Sequence, residues 1–385
     1  MTISVEHRNG HSELPLDTSA WHRAESQAAY DFRSDYVTCP NLSMLQSIIN
    51  TSLGDDVMME DSTTNDFQAF MADLCGHEDA LLAMSGTMAN QVALRSALTC
   101  APYAILADRR SHIITLEAGG PSTLSGALIV GVEPSNGHHL TIKDVQRHAQ
   151  LRDDIYDCPT RVISLENTLN GTVMPLQDVQ EISRWARSQD PPIFMYLDGA
   201  RLWEAVAAGC GTLKEYAACF DSFSLCFTKG LGAPNGSMII GSKTFIKRCR
   251  WWRKAVGGGI RAAGVVAAPA RVAVEQVFLG GRLQATQMMA KRIAQRWESL
   301  GGTLEHPTET NMIWLDLDAA EIDKEVFADM AQQVGIRTIR REIVGHEGRL
   351  VMHYQISDDA VSRLFGLFTA VLGERKCSNG VEKLQ

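Results

Sequence analysis

The sequence of 385 residues lacks several patterns that would define its class at once. No window of about 18 apolar residues occurs, so we expect no membrane-spanning helix. The first residues, MTISVEHRNGHSELPLD, contain no basic start followed by an apolar core, and we do not expect a secretory signal. The nine cysteines form no CxxC pair, which disfavours disulfides and a zinc site. This pattern favours reduced, buried thiols in a cytoplasmic protein.

Charge and glycine patterns argue against two further classes. The net charge of -9 makes nucleic acid an unfavourable partner. No G-x-G-x-x-G follows an early strand with an acidic residue downstream, which argues against an NAD-binding enzyme. A hydrophobic content of 45% and a charged content of 21% are typical of a globular enzyme. The length suits one large domain with a smaller one.

Strand-like and helix-like segments alternate through most of the chain. Such alternation predicts an α/β fold, with a mostly parallel sheet covered by helices on both faces. We predict a flexible N-terminal extension at 1–29, a large domain at 30–280, a small C-terminal α+β domain at 281–375 and a frayed tail at 376–385. The basic stretch 247–254 predicts a solvated helix face.

Two polar residues follow neighbouring predicted strands. Asp198 ends the apolar run 192–197, and Lys229 follows the run 222–227. Open α/β sheets bind ligands at the carboxyl ends of their strands. A lysine among apolar neighbours can form a Schiff base, and a fixed carboxylate can keep a pyridine nitrogen protonated. Pyridoxal phosphate (PLP) needs both groups; the alternative is a surface lysine and a helix cap.

A third polar turn, Ser85-Gly86-Thr87, follows a short apolar run and precedes a predicted helix. The free amide groups at a helix N-terminus, together with two hydroxyl groups, can bind a phosphate. A simple helix cap is the alternative.

Nine segments resemble, in order, those of the threonine aldolase family of PLP enzymes: DFRSDYVT, GDDVMMED, SGTMAN, HIITLEAGG, LENTLNG, LDGARL, TKGLGAPNGS, GGGIRAAGV and TNM. The resemblance extends from about Asp31 to Val351. It implies the aspartate aminotransferase-like fold (fold type I), a PLP cofactor, a small amino-acid substrate and a homo-oligomer with shared active sites. A catalytically inactive scaffold would have lost Lys229 or Asp198, and both are present.

The resemblance assigns a role to each matched position. Lys229 would hold the cofactor covalently, Asp198 would pair with its pyridine nitrogen, and His112 would stack on its ring. The remaining assignments are Ser85, Gly86 and Thr87 for the phosphate, Arg261 for the phosphate of a neighbouring subunit, and Ser34, Arg201 and Arg349 for the substrate α-carboxylate. A guanidinium group suits a carboxylate because it binds both oxygens. Structural ion pairs, and a buried His112 with a fixed tautomer, are the alternatives. We expect no metal.

Four positions depart from the family pattern. Tyr156 stands where the family has a histidine before the LEN strand, and Leu169 stands where the ENTHNG pattern has another. Met58 and Tyr36 replace a tyrosine and a threonine of the GDDVYG and RSDTVT patterns. The cofactor positions are therefore kept, while positions expected to face the substrate β-carbon have changed.

These departures leave two reactions open. The first is racemisation, most plausibly of alanine, with Lys229 as one base and Tyr156, or else Tyr36, as the other across the cofactor plane. A phenol can serve if nearby cations lower its pKa. Certain fungal alanine racemases resemble this family. The alternative is aldol cleavage of threonine or a related β-hydroxy amino acid to glycine and an aldehyde, with water or His112 as the base.

Overall fold

The computed structural model describes residues 18–152, 154–339 and 347–381, with side chains as far as Gly373. The helices are α1 Ser19–Ala28, α2 Leu42–Ile49, α3 Ser62–Cys75, α4 Gly86–Ala97, α5 His112–Thr115, α6 Gly120–Ser125, α7 Ile142–His148, α8 Leu176–Arg187, α9 Leu202–Ala207, α10 Leu213–Ala217, α11 Lys243–Ala255, α12 Gly264–Ala273, α13 Arg282–Ser299, α14 Lys324–Gln333 and α15 Asp358–Val381. The strands are β1 Asp79–Ala83, β2 Ala104–Asp108, β3 Leu128–Val132, β4 Thr160–Glu166, β5 Phe194–Gly199, β6 Ser222–Cys226, β7 Ser237–Gly241, β8 Leu304–His306, β9 Met312–Leu315 and β10 Arg349–Val351.

The large domain is built on a seven-stranded sheet with the order β1-β7-β6-β5-β4-β2-β3. Strands β6, β5, β4, β2 and β3 are mutually parallel, whereas β7 runs antiparallel to both of its neighbours. Helices cover both faces, so the central strands are buried on both sides; every residue of β2 and β6 is buried. The predicted α/β fold with a mostly parallel sheet is confirmed.

Strand β7 is the element of this sheet that the sequence analysis did not assign. Its five residues, SMIIG, are all buried and lie between β1 and β6. The segment is short and follows directly on the turn at Asn235-Gly236. Periodicity alone cannot identify so short an apolar run as a strand.

Buried apolar residues of the described chain form four clusters, and α13 contributes to two of them. Leu283 packs in the core of the large domain, whereas Ala290, further along the same helix, packs in a second core with Trp297. This second core lies under the antiparallel sheet β10-β9-β8. Phe32 also belongs to it, and its amide donates a hydrogen bond to the carbonyl of Arg337. Residues near position 32 therefore pack with the small domain, although the sequence placed them in the large one.

Both chain ends contain more regular structure than the sequence indicated. Residues 19–28 of the predicted flexible extension form α1, which is anchored by a hydrogen bond from Ser357 N to Ala29 O. The final helix, α15, continues through Val381 into the predicted frayed tail. Residues 1–17 and 382–385 lie outside the described ranges. Within those ranges no helix is both long and apolar enough to cross a membrane, and eight cysteines are unpaired.

A chain of hydrogen bonds joins the two domains beside the sheet edge. His139 Nε2 lies 2.6 Å from Asp178 Oδ2, the two Nδ1 atoms of His138 and His139 are 2.8 Å apart, and His138 Nε2 lies 2.6 Å from Glu309 Oε1. Glu309 is two residues before Asn311, whose amide reaches Asp35 in the large domain. This contact places the start of β9 next to the carboxyl ends of the parallel strands.

Candidate active site

The predicted site residues converge at the carboxyl edge of the parallel sheet. Glu166 and Asp198 end β4 and β5 and lie side by side in register. Lys229 follows β6, and His112 begins α5 just after β2. Parallel strands bring their carboxyl ends to one edge, which explains why residues so far apart in sequence meet here.

Asp198 is held by a buried network centred on Asn90 of α4. Asn90 Nδ2 donates hydrogen bonds of 2.7 Å to Asp198 Oδ2 and to Glu117 Oε1. Asn90 Oδ1 accepts from the hydroxyls of Tyr196 and Ser224, at 2.7 and 3.1 Å. Every hydrogen-bonding position of the amide is therefore used, which fixes its orientation and with it the Asp198 carboxylate.

His112 is oriented by two carboxylates. Its Nδ1 lies 2.7 Å from Glu117 Oε1, and its backbone amide donates to Glu166 Oε2 at 2.8 Å. Burial disfavours the charged imidazole, but the hydrogen bond with Glu117 and the charge of Asp198 outweigh it, so the pKa of His112 is raised. Burial and the charge of Asp198 also raise the pKa of Glu166, to about 8.

Asp35 and Arg201 form a buried ion pair beside Lys229. The guanidinium donates from Nε and Nη2 to the two carboxylate oxygens, at 2.7 and 2.5 Å. Burial opposes the charge of Asp35, but Arg201 and the charge of Lys229 hold its pKa well below its usual range. The Gly230 amide donates to Asp35 O, and Gly230 has a positive φ of 69° that favours glycine. The lysine turn is therefore tied to the ion pair.

Arg349 brings a second buried guanidinium to the same place. Its Nε atom is buried without a partner among the described residues, and Nη2 donates to Arg33 O at 3.3 Å. Burial and the charge of Arg201 lower the pKa of Arg349 to about 10. Ser34 is buried next to Asp35, whereas Tyr36 is 55% exposed. The structure therefore places an incompletely paired cation where a substrate carboxylate was predicted to bind.

The predicted phosphate turn lies at the N-terminus of α4, a helix of 12 residues. Ser85 caps this helix by accepting a hydrogen bond from Met88 N at 3.1 Å, and both Ser85 and Thr87 are exposed. Ser237, which the sequence analysis missed, has a buried hydroxyl with no partner among the described residues. This hydroxyl oxygen lies 3.7 Å from the position that a Cβ on Gly86 would take. Hydroxyl and amide donors thus lie close together, as a phosphate requires.

Arg261 lies near this helix but does not bind at its N-terminus within one chain. Its guanidinium forms an ion pair with Asp55, and its side chain is 70% exposed. The preceding glycine loop packs on α4, because a Cβ at Gly258 would meet Met88 Sδ at 2.6 Å. Action of Arg261 on a neighbouring subunit's site stays a prediction.

Tyr156 is not brought to the site, which corrects its assignment as second base within one chain. It precedes β4 and is 89% exposed, whereas Glu166 ends the same strand. The six residue steps of β4 separate its two ends by about 20 Å. The neighbours Asp154 and Asp157 line a cavity with Tyr103 and Phe194 at the opposite, amino edge of the sheet. Sequence matching aligned the residue with the family but could not show which edge it occupies.

Two other departures from the family pattern, Leu169 and Met58, are apolar. Leu169 is 7% exposed and lines a small cavity with Glu166 and Thr172. Met58 is 65% exposed. Neither side chain can transfer a proton.

His112, Glu117 and Asp198 bring nitrogen and oxygen atoms within 4.8 Å of one another, a spacing that can suit a metal ion. The Asn90 amide, however, donates hydrogen bonds to both carboxylates. An N–H donor directed at this point repels a cation. The cluster is therefore a hydrogen-bond network.

Glu204 is a buried carboxyl group beneath the ion pair that the sequence analysis missed. It lies on α9, is 3% exposed and accepts a hydrogen bond of 2.6 Å from Gln287. Burial raises the pKa of Glu204 to about 8, with the hydrogen bond opposing the rise and the charge of Asp35 adding to it. Its carboxylate oxygen lies 3.4 Å from the position that a Cβ on Gly230 would take, which links it to the lysine turn.

This raised pKa predicts a pH-dependent stability. Because folded protein binds the Glu204 proton more tightly than unfolded protein, stability falls as pH rises from about 4.5 to about 8. In apo-protein, Glu204→Gln should lack this loss and gain stability over the wild type by on the order of a few kcal/mol toward pH 8. Urea unfolding at pH 5 and pH 8 measures the difference. Glu298→Gln, on the exposed face of α13, is the control; equal pH slopes for all three proteins would contradict the prediction.

These features define the class of protein. A buried carboxylate at a strand end, a lysine on the next strand, a histidine after β2 and a donor-rich helix N-terminus fit the pyridine nitrogen, the aldehyde carbon, the ring and the phosphate of PLP. The unpartnered Ser237 hydroxyl and Arg349 Nε are donors available to anions. The molecule is a fold type I, aspartate aminotransferase-like enzyme, and its cofactor is PLP.

The family follows from comparison with known proteins. Residues 31–320 match the beta-eliminating lyase family, and the chain belongs to that family. The threonine aldolase of Leishmania major shares the fold, with a TM-score of 0.75 at 20% identity over 89% of this chain and 99% of that one. The resemblance to threonine aldolases is confirmed by the low-specificity L-threonine aldolase of Eremothecium gossypii, which is 38% identical over 89% of this chain and 87% of its own length.

Two relatives cover nearly the whole chain. The aldolase vrtJ of Penicillium aethiopicum is 50% identical over 90% of this chain and 87% of its own length. The alanine racemase TOXG of Cochliobolus carbonum is 43% identical over 93% of this chain and 91% of its own. The protein is thus an enzyme of the threonine aldolase-like group, which includes relatives named for both reactions.

Proposed function

We propose that the protein cleaves the Cα–Cβ bond of a small β-hydroxy-α-amino acid, giving glycine and an aldehyde. One observation carries this proposal: the charge of Lys229 acts on His112 at the carboxyl edge of the sheet, whereas Tyr156, the first of the two tyrosines considered as second base for racemisation, is exposed before the start of β4. The 50% identical relative named as an aldolase supports the same choice.

The substrate would be held by its carboxylate. Arg349 offers a buried guanidinium with an unpartnered Nε, and Arg201 is kept in place by Asp35. A carboxylate between them would complete the charge balance of two guanidinium groups and one aspartate. This fixes the α-carbon of an amino acid beside Lys229.

His112 is the group best placed to take the β-hydroxyl proton. Its Nδ1 is bound to Glu117, which leaves Nε2 of the neutral ring as the acceptor. PLP, held by Lys229 and Asp198 beside His112, would supply an electron sink for the pair released at Cα when the Cα–Cβ bond breaks. The proton taken by His112 can then pass through Lys229 to Cα, which completes glycine and leaves both groups in their starting protonation states. Asp198, whose carboxylate is fixed by Asn90, would pair with the pyridine nitrogen of the cofactor.

Alanine racemisation is the second candidate, and the 43% identical relative named as an alanine racemase favours it. It requires a second acid–base group on the face of Cα opposite Lys229. Within the described part of one chain, His112 and the half-buried Glu166, with its pKa of about 8, are candidates, and Tyr36, whose charge acts on Arg349, stays the other candidate from the sequence. Leu169 is apolar where the family has a histidine. It offers no base for either reaction and therefore does not distinguish the two candidate functions.

Purified PLP-loaded protein should be incubated separately with L-threonine, L-allo-threonine and L-alanine. We expect acetaldehyde and glycine from the β-hydroxy amino acids, with D-alanine formed at least about 100-fold more slowly, because only one described base is required for cleavage. An aldehyde assay and chiral chromatography measure the two products. Rapid D-alanine with little aldehyde would overturn the proposal and establish the racemase.

The exposed tyrosine gives a separate prediction. Tyr156→Phe should change the rates of both reactions by less than about threefold, because surface substitutions far from the chemistry have small effects. Tyr103→Phe, whose hydroxyl donates to Ser125 O at the same sheet edge, is the matched control. A selective loss of racemisation in Tyr156→Phe would place this phenol in the site of a second subunit.

A further inference from the structure

We propose that Glu117 is a positioning residue that fixes His112 directly and Asp198 through Asn90. The inference deepens the proposed function and rests on it for the role of His112. No sequence pattern assigned Glu117 a role, although it lies in the segment HIITLEAGG.

Three hydrogen bonds converge on this one carboxylate. Oε1 accepts from Asn90 Nδ2 at 2.7 Å and faces His112 Nδ1 at 2.7 Å, while Oε2 accepts from Gln91 Nε2 at 2.5 Å. The Glu117 side chain has no exposed surface. A buried carboxylate with three donors is stabilised by them, and removing its charge leaves those donors without an acceptor of equal strength.

The backbone around Glu117 is specialised for this position. Ala118, the next residue, adopts a φ of 51°, in the left-handed region that non-glycine residues rarely occupy. Two residues later, a Cβ at Gly120 would meet Gln91 Cδ at 2.6 Å, so only glycine lets the loop approach α4 this closely. An unfavourable backbone conformation of this kind persists where the surrounding structure holds a functional side chain in place.

The hydrogen-bond network couples the position of His112 to that of Asp198. Asn90 donates to both Glu117 and Asp198, so a turn of its amide would disturb both carboxylates at once. The charged groups acting on His112 are Glu117, Asp198 and Lys229, and its backbone binds Glu166. Glu117 thereby sets which nitrogen of His112 carries the proton, and it keeps the ring from turning.

The test compares Glu117→Gln with the wild type and with Glu298→Gln, which removes an exposed carboxylate of the same length. Glutamine is close in size, but its amide NH2 would face the NH2 groups of Asn90 or Gln91. In apo-protein, NMR should show the pKa of His112 lowered by about one unit or more, with the resonance assigned by its absence in His112→Gln. In the PLP-loaded protein, kcat should fall by roughly 10- to 100-fold with KM nearly unchanged, and the pH midpoint of the cofactor absorbance should move.

Each outcome is decisive. An unshifted His112 titration and cofactor absorbance in folded Glu117→Gln would reduce Glu117 to a structural role and overturn the proposal, even with a loss of activity. Should Glu117→Gln not fold, Glu117→Asp takes its place: it keeps the charge but shortens the reach, and a wild-type His112 titration in it would also overturn the proposal. If the wild type cleaves no β-hydroxy amino acid, the proposed function fails, while the apo-protein titration still decides the role of Glu117.

Discussion

Lys229→Ala is expected to lower kcat by about four orders of magnitude or more, because the residue supplies both the covalent attachment and the proton for Cα. The lysine follows β6 on a turn fixed by the hydrogen bond from Gly230 N to Asp35 O. Steady-state kinetics with L-threonine and the absorbance of the lysine-bound cofactor measure the two losses.

Lys247→Ala is the control, since Lys247 is exposed on α11. Both variants should show the circular dichroism of the wild type. Borohydride reduction followed by mass spectrometry should trap the cofactor on wild type and Lys247→Ala, but not on Lys229→Ala. Trapped cofactor on Lys229→Ala would contradict the assignment of the lysine and, with it, the arrangement of the whole site.

Arg349→Met is expected to raise KM for the amino acid by roughly 10- to 100-fold, because it removes charged hydrogen bonds to the substrate carboxylate. The same variant should unfold at no lower temperature than the wild type as apo-protein. Burial and Arg201 lower the pKa of Arg349 to about 10, which means that its charge is disfavoured in the folded protein. Kinetics and thermal unfolding of the apo-protein measure both effects.

Arg201→Met provides the contrast for this prediction. It would leave Asp35 as a buried carboxylate without its cation, and breaking such a pair costs about 3–5 kcal/mol. We therefore expect Arg201→Met to lower both stability and substrate affinity, whereas Arg349→Met lowers affinity alone. A fall in unfolding temperature with unchanged KM in Arg349→Met would show that its guanidinium is structural.

The fold could be predicted from the sequence because its signals are local. The apolar runs 192–197 and 222–227 predict β5 and β6, and the alternation of strand-like and helix-like segments predicts a mostly parallel sheet. The short β7, inserted antiparallel between β1 and β6, carried no such signal. Within the extension predicted to be flexible at 1–29, residues 19–28 form the polar helix α1, in which Ala28 alone is buried, and the sequence contains no clear helical signal for it.

A site residue could be predicted from the sequence where its chemistry and its place at a strand end were enough to identify its role. Lys229 and Asp198 meet that condition, since each lies at the end of a buried strand or just after it. Tyr156 does not, because matching a family position gives no distance, and the tyrosine precedes a strand whose other end carries the chemistry. Arg201 matched a carboxylate-binding position, yet which acid it meets depended on Asp35, 166 residues away.

The sequence by itself determined the class of chemistry: a lysine and an aspartate at the carboxyl ends of adjacent strands, after a helix N-terminus rich in hydroxyl groups. Only the tertiary structure decided which polar groups surround them. Asn90, Glu117, Asp35 and Glu204 gained their roles from partners distant in sequence. The physical reason is that hydrogen bonds and pKa shifts depend on distance and burial, and both arise only when separate elements pack together.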